Sequence, residues 1–344
     1  MFSVPNVVMK TLSRRNFLTL FLVIAALGAG IPRSPAAAKP MKIPVILDTD
    51  IGDDIDDTWA LGMLLRSPEL DLKLVVSDDG KPLYRSKILA KFLQAAGRTD
   101  VPVGVGIDTP KKGEGGQSEW VRDYNLNRYP GKVYADGVQA MIDTIMSSRE
   151  PITVIAIGPL PTLAAALERE PRIATKAKFV GMHGSVRVGY GGSKTPSAEY
   201  NVKQDVAACQ KVFTAPWPMT ITPLDTCGTI DLQGERYQRI RQSKDPIAAA
   251  ITENYRLWSG SQKRPAGQAD PFETRSSTLF DTVAIYLAFA TDLVKMEEIP
   301  LAVTAEGMTA IKPGAHPVNV ATEWKSLDGF RDLLVERLTN GKRK

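Results

Sequence analysis

The 344 residues carry 43 Lys and Arg against 38 Asp and Glu, a formal charge of +5, with 43% hydrophobic and 24% charged residues. That mix excludes intrinsic disorder, a collagen repeat and a coiled coil. The first 38 residues contain Lys10, Arg14, Arg15 and Arg33 and no acid, which leaves 39 bases against 38 acids and excludes a generic basic nucleic-acid binder.

The chain opens with an address. Ser13-Arg14-Arg15-Asn16-Phe17-Leu18 sets an arginine pair before an uncharged run from Asn16 to Pro32, and Pro35-Ala36-Ala37-Ala38 precedes Lys39. A charged start, an apolar run and an Ala-x-Ala end make a cleavable export signal over 1–38. The arginine pair followed by Phe-Leu resembles a bacterial twin-arginine leader. Seventeen uncharged residues, interrupted by Gly28 and Gly30, are short for a bilayer span. The expectation is a periplasmic or secreted protein, with no stable membrane insertion after processing and one α/β domain over 39–344.

From residue 43 short β-branched runs alternate with amphipathic or Ala/Leu-rich stretches. The pattern predicts a strand at 43–47, a helix at 58–65, a strand at 72–76, a helix at 84–96 ended by Gly97, and a strand at 101–105. A helix at 136–147, a strand at 152–157, a helix at 161–168 and strands at 178–182 and 219–222 follow. The C-terminal third reads as more helical, with helices at 245–258, 278–290 and 324–338. Two long stretches read as functional loops: 107–135, with Trp120, Tyr124, Tyr129 and Tyr134, and 259–277, a candidate lid. Strands separated by helices of 10 to 15 residues imply a single α/β domain with a mostly parallel central sheet flanked by helices, and a ligand site at the carboxyl ends of the strands. Cys209 and Cys227 match no metal spacing and are expected as separate buried thiols.

The first of those strand ends is densely acidic. Asp48-Thr49-Asp50-Ile51-Gly52-Asp53-Asp54-Ile55-Asp56-Asp57 holds six aspartates in ten residues, with no base between Lys42 and Arg66. Period-two geometry puts Asp48 and Asp50 on one side of the strand, and Gly52 permits a sharp turn before the helix. Asp53 and Asp57 lie one turn apart if the helix has begun by then. Solvation and favourable placement at a helix start, worth about 0.3 to 1 kcal/mol per acid, account for two of the six. The rest call for a cation or protons. Carboxylates without His or Cys select calcium or magnesium over zinc. An EF-hand is excluded, because its sixth and twelfth positions counted from Asp48 are Asp53 and Trp59.

Asp48-Thr49-Asp50-Ile51-Gly52 with Asp56-Asp57 and Ala60-Leu61 resembles the N-terminal signature of the inosine-uridine preferring nucleoside hydrolases, Asp-x-Asp-Pro-Gly-x-Asp-Asp-x-x-Ala. Further segments are similar to that family in its own order: Gly158-Pro159-Leu160-Pro161-Thr162-Leu163-Ala164, Met182-His183-Gly184, Gly192-Ser193-Lys194-Thr195-Pro196-Ser197-Ala198-Glu199-Tyr200-Asn201, and Leu279-Phe280-Asp281-Thr282-Val283-Ala284. Together they span roughly residues 43 to 340.

The resemblance implies a calcium-dependent salvage enzyme that hydrolyses the N-glycosidic bond of ribonucleosides to ribose and free base. It implies Asp50, Asp57, Asp281 and the carbonyl of Pro161 as calcium ligands, and Asp50 as the base that takes a proton from the metal-bound water. Asp56, Glu199 and Asn201 are implied at the ribose hydroxyls, with Met182 near the sugar and Ser193 in place of a family asparagine. The chain departs from the pattern in three places. Two extra residues lie between Asp50 and the Asp56-Asp57 pair, which leaves Asp53 or Asp54 as an alternative for the role given to Asp56; Ser77-Asp78-Asp79-Gly80 replaces a segment with an asparagine, and Phe280 stands where many members have a histidine associated with protonating the base. A purine could stack on an aromatic of the 107–135 loop, where the same rings serve equally as packing residues. His183 reads as a satisfied hydrogen-bonder before it reads as a catalyst. Two alternatives stand beside this expectation: a hydrolase of another ribosyl compound on the same fold, and a non-catalytic calcium-containing sugar- or nucleoside-binding protein. Family members commonly form dimers or tetramers, so a homo-oligomer is expected by analogy.

Overall fold

The computed structural model describes residues 41–110, 113–265 and 267–339; the leader expected at 1–38 lies outside them. Among the described residues ten strands form one sheet. They are β1 (Ile43–Thr49), β2 (Leu70–Ser77), β3 (Val103–Gly104), β4 (Val133–Tyr134), β5 (Ile152–Ala156), β6 (Ala177–Met182), β7 (Met219–Thr222), β8 (Val294–Val303), β9 (Thr309–Ile311) and β10 (Pro317–Trp324). Their order is β4-β3-β2-β1-β5-β6-β7-β10-β8-β9, parallel from β4 through β10 and antiparallel at the β10-β8 and β8-β9 pairs. The helices are α1 (Asp56–Leu65), α2 (Pro82–Ala95), α3 (Ser118–Val121), α4 (Gly137–Ser147), α5 (Pro161–Arg169), α6 (Tyr200–Gln204), α7 (Val206–Thr214), α8 (Leu224–Cys227), α9 (Gly234–Arg241), α10 (Pro246–Ser261), α11 (Thr282–Leu287) and α12 (Leu327–Thr339). The α/β architecture with a mostly parallel sheet is therefore as expected.

Alternation along β1 sends its side chains to both faces. Val45 and Leu47 join a core that also holds Trp59, Tyr255 and Phe330, whereas Ile46 joins a second core with Leu74, Phe179 and Trp217. Each large apolar side chain buried in these cores contributes about 1.5–3 kcal/mol. The sheet order fixes where a ligand can sit. From β1 the chain builds outward through β2, β3 and β4, then returns to β1's other side with β5. The crevice beyond the carboxyl ends of β1 and β5 is the topological switch point.

The C-terminal third departs from expectation. It holds β8, β9 and β10 as well as helix, and the helix expected from 324 starts at Leu327, because Trp324 still belongs to β10. The helix expected over 278–290 narrows to α11, since Leu279 donates its N–H to the Ile230 carbonyl and is held outside the helix. Helices α7 and α9 were not anticipated. Cys209 and Cys227 are both free and buried. Among the described residues no helix is long and apolar enough to cross a membrane.

Candidate functional site

At the end of β1 the chain turns sharply. Gly52 has φ +107°, and a Cβ there would lie 2.7 Å from Ile88 and 2.8 Å from Tyr84, so this corner requires glycine. A Cβ on Gly115 would stand 1.9 Å from the Gly52 carbonyl, so a second glycine lets another loop close over the turn. Tyr84 donates its hydroxyl to the Gly52 carbonyl at 3.0 Å. Buried Arg85 donates to the carbonyls of Asp79 at 2.6 Å and Ile51 at 3.1 Å. Helix α1 starts only at Asp56, so Asp53 and Asp54 lie on the exposed turn and Asp53 is not one helical turn from Asp57.

The turn delivers the acids into one cavity of about 470 Å³. Asp50, Asp56, Asp57 and Asp281 all line it, and each is buried. Asp56, Asp57 and Asp281 each bring a carboxylate oxygen within 4.8 Å of the others. The Asp281 N–H donates to Asp56 Oδ2 at 3.2 Å, and Thr49 Oγ1 donates to Asp57 Oδ1. Burial raises all three carboxyls well above the usual range, and repulsion from neighbouring carboxylates adds to it. Asp50 is pushed up to about 8, mainly by burial, with the Arg85 guanidinium opposing the rise. This donor set is hard, anionic and oxygen-only, which fits calcium or magnesium.

Three further acids, Asp48, Asp78 and Asp79, are buried outside the cavity lining. Asp48 is fully buried and, among the described residues, neither of its carboxylate oxygens has a hydrogen-bond partner; desolvation, then Asp78 and Asp50, raise its pKa. Asp78 accepts the N–H groups of Leu160 at 2.7 Å and Thr162 at 2.9 Å, which caps the start of α5, while Asp79 accepts the Thr109 hydroxyl at 2.7 Å. In place of the expected asparagine, one acid therefore anchors a helix and the other a loop.

The opposite wall carries sugar-sized polar groups. Buried Glu199 accepts from the N–H groups of Asn201 at 2.8 Å, Gly184 at 3.0 Å and Val202 at 3.2 Å, and burial still pushes its carboxyl up to about 7. Asn201 Nδ2 donates to the carbonyls of Met182 at 3.0 Å and Ile157 at 3.2 Å. Glu199, Asn201 and Met182 all line the cavity. The remaining wall is aromatic: Tyr190, Tyr200, Trp258 and Phe280. Tyr200 donates to Asp53 Oδ2 at 2.6 Å and Trp258 Nε1 to the Asp53 carbonyl at 3.0 Å.

Not every expected residue reaches this space. Pro161 is buried at the first position of α5, and Ser193 is exposed, its Oγ accepting the Thr195 N–H at 3.1 Å; neither lines the cavity. The 107–135 loop contributes Gly115 and Gly116 to the lining and none of its aromatic rings. Trp120 and Tyr129 are buried in the core, with Tyr129 donating to the Val101 carbonyl at 2.7 Å, so of the two readings of these rings, packing holds. The candidate lid, 259–277, contributes Gln262. His183 is buried against Phe179 and Phe213 with Nε2 at 3.0 Å from the Gly158 carbonyl, and burial pushes it down to about 4, so it stays neutral. The sequence reading missed Arg85, Tyr190 and Trp258. Arg85 carries a visible signal, because it shares a helix face with Ile88, Leu89 and Phe92, where a charge is out of place.

With this geometry in view, the model of the inosine-uridine preferring nucleoside hydrolases matches residues 45–331. Among curated relatives, the pyrimidine-specific ribonucleoside hydrolase RihA of Enterobacter sp. (strain 638) is 28% identical over 326 residues, covering 87% of this chain and 98% of its own. The protein of the same name from Escherichia coli O9:H4 (strain HS) is 30% identical over 223 residues, covering 62% of this chain and 70% of its own. Among solved structures, the plant nucleoside hydrolase PpNRh1 superposes with a TM-score of 0.73 at 22% identity, covering 87% of this chain and 99% of its own. A purine-preferring ribonucleoside hydrolase from Gardnerella vaginalis superposes with a TM-score of 0.69 at 22% identity, covering 86% and 98%. At that identity the two structures speak for the fold.

Proposed function

The chain belongs to the inosine-uridine preferring nucleoside hydrolase family and is a hydrolase of N-glycosyl compounds, and from that premise we propose calcium-dependent hydrolysis of ribonucleosides to ribose and free base. The observation that carries the metal is the buried trio Asp56, Asp57 and Asp281, with oxygens within 4.8 Å of one another in a cavity shared with Asp50. The proposed ligands are Asp50, Asp57 and Asp281; the Pro161 carbonyl, which the resemblance implied, belongs to a residue outside the cavity lining and is dropped from the set. When bound, calcium supplies a double positive charge that offsets the carboxylates and polarises oxygens held against it.

The side chains supply the rest. Asp50, buried in the cavity beside the acidic trio, takes the proton of the attacking water. Asp56, Glu199 and Asn201 hold ribose hydroxyls and Met182 packs near the sugar; Ser193, exposed and outside the cavity lining, is left without the substrate contact that the resemblance implied. The anionic wall favours the positive charge that develops on the sugar as the C1′–N bond breaks. Attack by water in one step, opposite the departing base, gives inversion at C1′.

The test follows ribose and base release from a panel of purine and pyrimidine ribonucleosides, with and without a chelator. Release from any of them, lost on chelation and restored by calcium, is the expected result; no release from calcium-loaded protein overturns the proposal. A second reading, hydrolysis of another ribosyl compound, is favoured by exposed Ser193 and by Phe280 in the cavity wall, where the chain departs from the family pattern. Ribose release from such a compound, and from no nucleoside, decides for it. We further propose that residues 1–38 are removed on export through the twin-arginine route, leaving 39–344 as one periplasmic or secreted domain that self-associates as a dimer or tetramer. Uncleaved chain held in the cytoplasm overturns the export assignment.

A further inference from the structure

Breaking the C1′–N bond leaves its electron pair on the base, and a heterocyclic anion departs slowly unless a proton reaches it. The aromatic wall of the cavity holds two phenols. The Tyr200 hydroxyl already donates to Asp53 Oδ2 at 2.6 Å. Tyr190 is placed differently: its oxygen accepts the Tyr200 N–H at 2.8 Å, and among the described residues nothing accepts its own hydrogen. Its ring stands edge-on to Phe280, centroids 6.3 Å apart at 82°, in the cavity that Glu199 and Asn201 also line. Glu199 is spoken for, since both its oxygens accept backbone N–H groups and it is assigned to a ribose hydroxyl, and the acidic trio is assigned to metal and sugar; the other donors are amides or an indole. Trp258 Nε1 is given to the Asp53 carbonyl and Asn201 Nδ2 to two carbonyls, and neither an indole nor an amide releases a proton near neutrality. Burial, with Glu199 nearby, raises the Tyr190 phenol above its ordinary range, so it meets substrate protonated. The backbone N–H on its oxygen stabilises the phenolate that donation leaves behind.

We propose that Tyr190 is the catalytic acid that protonates the departing base. The inference rests on the N-ribohydrolase reading above. The C1′–N bond breaks with its electron pair going to the base, the base takes the hydroxyl proton of Tyr190, and the bond from water oxygen to C1′ forms as Asp50 receives the water's proton. That proton returns through solvent to the Tyr190 phenolate, so the sum is nucleoside plus water to ribose plus neutral base.

Tyr190→Phe removes one hydroxyl and keeps the ring against Phe280. The deciding comparison is between ribonucleosides and 4-nitrophenyl β-ribofuranoside, whose phenolate leaves without a proton at pH 8. The expected result is a 10²- to 10⁴-fold loss of kcat on nucleosides with less than threefold change on the aryl riboside. Tyr200→Phe is expected to slow both substrates alike. Equal loss on both substrates in Tyr190→Phe, retention of nucleoside kcat within threefold, or selective loss in Tyr200→Phe instead, each overturns the assignment of Tyr190 and leaves the parent reading standing. Wild-type protein that releases ribose from neither substrate class overturns the parent reading, and this one with it.

Discussion

Removing the calcium proposed above should destabilise the protein by an amount that depends steeply on pH. Two ionised carboxylates 4.8 Å apart repel by about 3.5 kcal/mol at an effective dielectric constant of about 20. Three such pairs among Asp56, Asp57 and Asp281 exceed about 10 kcal/mol, too much for a fold of ordinary stability. Without metal the site therefore keeps protons, in line with the raised carboxyls of the trio and with Asp50 at about 8. A carboxyl raised on folding stabilises the metal-free fold progressively as pH falls from about 8 towards 4, whereas calcium has to displace its proton. At pH 8, calcium at a hundredfold excess over Kd adds about 2.7 kcal/mol, or about 4 °C in Tm for a domain of about 300 residues. At pH 6 and the same calcium concentration, displacing one proton from a carboxyl at about 8 weakens binding about 50-fold, and the gain falls to about 0.65 kcal/mol, about 1 °C. Thermal melts with calcium and with chelator at both pH values measure this directly, and calorimetry in buffers of different ionisation enthalpy counts the protons released. A calcium shift that is absent, or equal at pH 8 and pH 6 with no proton release, refutes the reasoning.

Other expectations follow from single side chains. Asp50→Asn should lower kcat by about 10² to 10⁴ without unfolding the protein, and a kcat within threefold of wild type removes Asp50 as the base. Glu199, at about 7, must be ionised to accept ribose hydroxyls, so kcat/KM should fall as pH drops below about 7. Glu199→Gln should abolish that limb of the profile, and a limb that persists assigns it to another group. Arg85→Met should orphan the carbonyls of Ile51 and Asp79 at about 1–3 kcal/mol each, seen as a Tm lowered by several degrees. An unchanged Tm means that those carbonyls find water.

What the sequence made readable was local. The run Val45-Ile46-Leu47 before a cluster of acids and glycine announced a buried strand ending at a site, and Asp50, Asp57 and Asp281 meet in one cavity as their order suggested. β8 escaped notice because Glu298 breaks the alternation begun by Val294 and Met296, shifting the apolar phase to Ile299, and Pro300 sits within it. β10 alternates only over Val318 and Val320 before turning polar at Thr322 and Glu323. The aromatic wall escaped for a different reason. Tyr190, Trp258 and Phe280 come from separate loops and helices, and only the closed sheet decides which rings face the cavity rather than the core. Trp120 and Tyr129, in the loop that drew attention, are taken by packing. Arg85 was legible in principle, as a charge on the buried face of a helix, and its purpose depended on carbonyls from two other turns.

The contacts of Asp53 bear on how the site comes into being. Its carboxylate takes a hydrogen bond from Tyr200, 147 positions later, and its carbonyl one from Trp258, 205 positions later. The Asp281 amide reaches back 225 positions to Asp56. Closing spans of this length forfeits chain entropy that only a nearly complete sheet returns, so these links form late in folding. A chain still emerging from the ribosome has its aspartates and neither cavity nor partner for them. Assembly of the pocket is thus tied to completion of the polypeptide, and a product truncated before α11 lacks Asp281 and cannot complete the acidic trio.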